Sequence, residues 1–252
     1  KKPSERKNFA SHTPRDLCYE VGMARSRIQI ADTKKIPKPH AWIGMMQTEY
    51  PDWAYDLDRA PEFKGRWRED VFKNDAQTPL DVEIGTGNGY FFSHRATQFP
   101  QRNIVGLEVK FKPLVQSIRR VRREGAVNAR ICRYNGRFID DLFVEGEVND
   151  VFIHHPDPWT RAKKHKKRLI TAEFLNKLYA LQKPGSTLEF KTDSKEYFLW
   201  TEKEFAQTPY KLEKYTLDLH NSEWAEENFK THFENLFSKK QVLINYALFR
   251  KI

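Results

Sequence analysis

Cysteine is scarce in this chain: 252 residues contain two, Cys18 and Cys132, and they form no CxxC pair. That argues against a zinc site or a disulfide framework and fits a reducing compartment, so a cytoplasmic location is expected. Long apolar runs are missing too, and none approaches the length of a membrane span. The opening stretch KKPSERKNFASHTPRD has no apolar h-region, so no secretory signal is expected there. Internal repeats and low-complexity blocks are also lacking. What is plentiful is positive charge. Forty-four Lys and Arg against 34 Asp and Glu leave a net charge of +10, which implies an anionic partner, nucleic acid ahead of membrane. At 39% hydrophobic residues, the chain can build the core of one large α/β domain.

Two patterns divide the chain. Residues 1–78 are rich in Lys, Arg, Pro and Trp, and Pro37, Pro39, Pro51 and Pro61 break any long helix. They read as a basic, partly ordered N-terminal extension, in which pieces such as AWIGMMQTEY pack on the main domain. A secondary reading is a basic arm reaching RNA phosphates. From Pro79, short apolar runs alternate with helical periodicity. Strands are expected over Leu80–Ile84, Asn103–Glu108, Ala129–Arg133, Asp150–His154 and Thr187–Lys191, with helices over Lys112–Glu124 and Arg168–Gln182. The alternation predicts a doubly wound, mostly parallel α/β sheet over residues 79–252. The alternating run Gln241–Arg250 suits a last, antiparallel edge strand.

The organising motif is Asp81–Tyr90, DVEIGTGNGY: an apolar strand, then Gly85, Gly87 and Gly89, then an aromatic helix start. Glycines there let the backbone take positive φ and let a ligand approach closely, while the helix N-terminus favours an anionic group. A dinucleotide G-x-G-x-x-G would need glycine at position 90, which is Tyr90, and no Gly-Lys-Ser/Thr of a phosphate loop follows. What remains, E-x-G-x-G-x-G, looks like the first motif of S-adenosylmethionine-dependent methyltransferases.

In a doubly wound sheet, ligands sit beyond the carboxyl ends of the strands. Glu108 ends the second strand at the distance expected of a ribose-binding carboxylate. Asn135 ends the third, either as an adenine-edge partner or as part of a plain Asn-Gly turn. The fourth strand runs into His154-His155-Pro156-Asp157-Pro158-Trp159, whose prolines fix a loop that aims Asp157 at the ligand edge. Adjacent histidines on a strand point to opposite faces, so His154 and His155 are expected to be packed or hydrogen-bonded rather than to chelate a metal. Trp159 reads as a loop anchor. The following run, Arg161, Lys163, Lys164, His165, Lys166, Lys167 and Arg168, is a flexible basic loop suited to phosphate contacts, with support from helix arginines such as Arg119 and Arg123.

Together EIGTGNG, GLEV, PDPW with its basic loop, FKTDSKEY and THFE resemble the TrmB family of tRNA (guanine-N7-)-methyltransferases over about Pro79 to the end. The resemblance implies a Rossmann-like class I methyltransferase acting on a variable-loop guanosine of tRNA, with S-adenosylmethionine as methyl donor and no membrane partner; a homodimer or partner subunit stays open. It implies that Glu83, Gly85, Gly87, Glu108, Asn135 and Asp157 bind the donor, and that Asp157 is also catalytic. Arg161, Asp193, Thr231 and Glu234 fall at the family's substrate positions, and Lys163, Lys164, Lys166, Lys167 and Arg168 in its RNA-binding loop. Departures are Asn135, where many bacterial members have Asp, and the long N-terminal segment. Two rivals stand beside this reading: an amino-methyltransferase, disfavoured because Asp157 is followed by one proline and then Trp159, and an inactive RNA-binding protein on the same fold.

Overall fold

A computed structural model describes residues 41–231, 233–235 and 242–252. Residues 1–40, the first part of the segment read as a basic extension, lie outside the described residues. Eight strands form one sheet: β1 (Ala54–Tyr55), β2 (Leu80–Ile84), β3 (Asn103–Leu107), β4 (Ala129–Cys132), β5 (Val151–His154), β6 (Thr187–Thr192), β7 (Lys211–Thr216) and β8 (Asn245–Arg250), in the order β1-β4-β3-β2-β5-β6-β8-β7. Pairings from β1 to β6 are parallel, while β8 is antiparallel to both β6 and β7. The C-terminal strand is therefore antiparallel as expected but lies second from the margin. The outermost strand is β7, LEKYT preceded by Lys211, whose mostly exposed residues carry no apolar alternation to betray it.

The helices are α1 (Ala41–Thr48), α2 (Tyr90–Gln98), α3 (Phe111–Arg123), α4 (Ala172–Leu181) and α5 (Lys195–Phe205). Helix α3 buries the stripe Leu114, Val115, Ile118 and Val121 and leaves Arg119, Arg122 and Arg123 exposed. Thr171 caps α4 by accepting from the Phe174 amide at 3.3 Å, and Ser194 caps α5 by accepting from the Tyr197 amide at 3.3 Å. The Thr171 cap starts α4 four residues after Arg168, so Arg168 lies in the extended chain ahead of the helix.

Strand alternation gives the sheet two unlike faces. Leu80, Val82 and Ile84 of β2 join an apolar core with Val105, Ile153, Phe190 and the inward faces of α4 and α5. The opposite face carries Glu83, His154, Glu189 and Lys191, all buried or nearly so. The segment ahead of the glycine motif is part of this structure. Strand β1 pairs with β4, and Trp67 is fully buried against Tyr55, Phe63 and Phe143, with its indole N–H donating to the Leu142 carbonyl at 2.8 Å. Truncating a buried tryptophan costs roughly 3–5 kcal/mol, so residues 54–72 are integral to the core.

Candidate active site

All five strand ends singled out by the sequence lie on one edge of the sheet, because β2 to β6 run parallel. Beyond β2 the chain makes a tight turn, with Gly85 and Thr86 amides donating to the Leu107 carbonyl at 2.8 and 3.3 Å. Gly87 and Gly89 have φ of +52° and +76°, the left-handed region that side chains disfavour. A Cβ on Gly85 or Gly87 would meet no atom within 4 Å, whereas one on Gly89 would lie 2.5 Å from the Ser117 Cα. Gly89 thus lets α2 pack on α3, and Gly87 leaves an open cradle above the turn. Ser117 braces that cradle by donating to the Gly87 carbonyl at 3.0 Å.

Two carboxylates line it. Glu108 accepts from the Gly87 amide at 3.0 Å and the Lys110 amide at 2.8 Å, which leaves lone pairs on both oxygens for further donors. Burial raises its pKa against those hydrogen bonds. Glu83 is buried and its Oε2 has no hydrogen-bond partner; burial, reinforced by the nearby Glu108, pushes its carboxyl well above the usual range. An unpartnered buried carboxylate beneath a cradle that a Cβ would fill fits a ligand carrying hydroxyls and positive charge. Asn135, beyond β4, is half-buried, and its side-chain oxygen accepts from the Arg137 amide at 3.1 Å.

Asp157 stands exposed on the loop after β5. Left-handed residues bracket that loop, His155 at φ +50° and Trp159 at φ +43°. Non-glycine residues there cost on the order of 1–3 kcal/mol each and persist only where the surroundings enforce them. The enforcing contacts are visible. The His155 amide donates to the Lys191 carbonyl at 2.8 Å, and its ring lies 3.6 Å from Asp193 Oδ1 and 3.7 Å from Glu234 Oε1. Burial works against a charge on His155, but the two carboxylates outweigh it and raise its pKa. His154 turns the other way, bonding Glu189 through Nε2 at 2.8 Å; burial and the Lys191 charge pull its pKa down to about 4. Both histidines are hydrogen-bonded or ion-paired, as expected, and among the described residues no group of His, Cys, Asp and Glu is arranged to hold a metal.

The basic run is a 3-10 turn over Ala162–Lys167 rather than a shapeless loop. Arg161, Lys163, Lys166 and Lys167 are exposed. The ammonium groups of Lys164 and Lys167 sit 5.4 and 5.1 Å from the centroid of Trp159, so that ring anchors the loop by cation–π contact. Arg168 departs from the expectation. It is fully buried, donating Nε to the Pro158 carbonyl at 2.9 Å and Nη2 to Glu196 at 2.7 Å, and cannot reach RNA.

The T-x-F-E motif closes on itself. Thr231 Oγ1 accepts from the Glu234 amide at 3.2 Å, and the Thr231 amide reaches Glu234 Oε1 at 3.4 Å, a reciprocal helix cap. Glu234 is fully buried and also bonds His220 at 3.1 Å and Asn228 at 2.8 Å. Those donors, with the charges of His155 and Lys191, hold its carboxyl well below the usual range despite burial. Its oxygens are engaged within the protein, whereas Asp193, just beyond β6, is partly exposed. The T-x-x-E spacing was the available signal for the cap.

A family model described as a putative methyltransferase matches residues 77–246. The tRNA (guanine-N(7)-)-methyltransferase of Bdellovibrio bacteriovorus is 52% identical over 204 residues, covering 81% of this chain and 98% of that protein. The chain belongs to the TrmB family. The Bacillus subtilis tRNA (guanine-N(7)-)-methyltransferase is 32% identical over 77% of this chain and 93% of its own length. A solved antibiotic-related methyltransferase overlays with a TM-score of 0.51 at 15% identity, over 72% of this chain and 92% of that one, which shows the Rossmann-like fold. The family model begins at residue 77, after Trp67 and β1, whereas the match to the Bdellovibrio protein, at 81% of this chain, takes in part of the segment ahead of it. No described helix is long and apolar enough to cross a membrane.

Proposed function

We propose that this chain transfers a methyl group from S-adenosylmethionine to N7 of a variable-loop guanosine in cytoplasmic tRNA. S-adenosylmethionine, when bound, supplies an electrophilic methyl group on a sulfonium sulfur. Glu108 would hold the ribose hydroxyls, Glu83 the cationic end, Asn135 the adenine side, and the Gly85–Gly87 backbone would let the nucleoside lie close. Guanine N7 is an acceptor with an exposed lone pair at neutral pH, so the reaction needs orientation rather than a general base. As the bond forms, the purine gains positive charge. The Asp157 carboxylate stabilises that charge more in the transition state than before it. Asp193 accepts from the guanine N–H edge, with His155 steadying it. Lys163, Lys164, Lys166 and Lys167, with Arg161 and the exposed arginines of α3, grip phosphates.

The observation that carries the reading is Asp157, presented on a strained loop at the same sheet edge as the glycine cradle and its two carboxylates. Incubation with labelled S-adenosylmethionine and total tRNA, followed by nucleoside mapping, tests it. The expected product is 7-methylguanosine, and Asp157→Ala lowers kcat by on the order of 100- to 1000-fold with the fold intact. Label in another nucleoside, or near-normal turnover in the variant, refutes it.

A further inference from the structure

We infer that Arg168 is a positioning residue that sets the Asp157 loop, and not a member of the RNA-binding run in which it stands. Five cationic neighbours precede it in the run, yet its side chain alone turns wholly inward. There Nε donates to the Pro158 carbonyl at 2.9 Å, one residue beyond Asp157, and Nη2 donates to Glu196 in the first turn of α5 at 2.7 Å. The guanidinium lies 5.1 Å from the Tyr197 ring and 4.9 Å from the Trp200 ring. The peptide it holds leads directly into left-handed Trp159, so Arg168 fastens the strained end of the loop to a rigid helix. The backbone of Arg168 links the other side: its carbonyl accepts from Arg137 Nη2, and the Arg137 amide donates to the Asn135 side-chain oxygen. One residue thereby fixes the catalytic loop relative to the turn on the adenine side.

The remaining nitrogen, Nη1, is buried without a partner. An orphaned N–H on a buried charge is a cost to folding, and an apolar side chain stacked on the same rings would escape it. Arg168 is thus poorly explained as a stability device and well explained as a fixed fork that spans Pro158 and Glu196 together.

The inference rests on the catalytic reading of Asp157, and one set of variants separates the two. Arg168→Met, Arg168→Lys, Glu196→Ala and Asp157→Asn are compared with the wild-type protein for thermal midpoint, kcat and KM on tRNA, and the salt slope of tRNA binding. Arg168→Met is expected to fold, to lose about tenfold or more in kcat, as misplacement of a reacting group by an ångström does, and to keep its salt slope. Arg168→Lys, which can serve one of the two acceptors, recovers part of that loss. Should Arg168→Met fail to fold, Glu196→Ala and Arg168→Lys decide: wild-type kcat in both overturns the inference. So does a folded Arg168→Met with wild-type kcat, or a salt slope lowered by about one, the mark of a phosphate contact. A fully active Asp157→Asn instead removes the underlying reading, whatever Arg168 does.

Discussion

Two glycines two residues apart should fail in different ways when replaced by alanine. At Gly87 the alanine methyl points into open space, so the cost to folding is that of a left-handed alanine, about 1–2 kcal/mol. For a domain of this size each kcal/mol moves the thermal midpoint by about 2–4 °C, so Gly87→Ala should melt roughly 2–8 °C lower and remain folded. At Gly89 the same backbone cost is joined by a methyl 2.5 Å from the Ser117 Cα. The neighbour is backbone, so α2 and α3 must separate, adding about 1–3 kcal/mol. The ligand response reverses the order of severity. Saturating S-adenosylmethionine at about 100 Kd stabilises the wild type by about 2.7 kcal/mol. Gly87→Ala should lose that response, because its methyl stands where the nucleoside lies, whereas Gly89→Ala should keep part of it on a much less stable fold. Thermal unfolding with and without the nucleoside measures both quantities. An undiminished ligand-induced rise in Gly87→Ala would refute the cradle; a wild-type midpoint in Gly89→Ala would refute the packing argument.

Replacing Lys164 and Lys167 together by Gln should lower the slope of log affinity for tRNA against log salt by about two, one per phosphate contact, and an unchanged slope removes the loop from the RNA interface. His154 gives the fold an acid sensitivity of defined sign. Its folded pKa of about 4 lies below the unfolded value of about 6.5, so between them the unfolded chain binds a proton the native state refuses. Stability should therefore fall by up to about 3 kcal/mol as pH drops from about 6.5 to 4, then level off. His154→Phe, with an aromatic ring retained against Phe91, should flatten denaturation midpoints over that window, and parallel pH curves for the two proteins would defeat the assignment.

The parts legible in sequence are those whose cause is local. Val82, Ile84 and the glycines after them declare strand and turn within ten residues, and the α3 stripe repeats at helical spacing. Asp157 was legible because two prolines and a preceding strand fix its place without help from distant chain. Arg168 was not, because its inward turn depends on Pro158 and on Glu196, 28 residues later, while the residues just before it are mostly solvated charges. The antiparallel margin was half-visible: β8 alternates, but β7 is held by pairing with β8 and shows little apolar pattern of its own. Thr231 and Glu234 carried a legible capping signal in their T-x-x-E spacing.

Strand β1 and the Trp67 cluster have a consequence for how such a protein can diverge. Their contribution is volume and edge closure, which many different side chains can provide, so this stretch can drift in sequence while the enzyme's chemistry stands still. The motifs that report the chemistry then begin only at the glycine turn, although Trp67 and β1 have already built part of the core ahead of it.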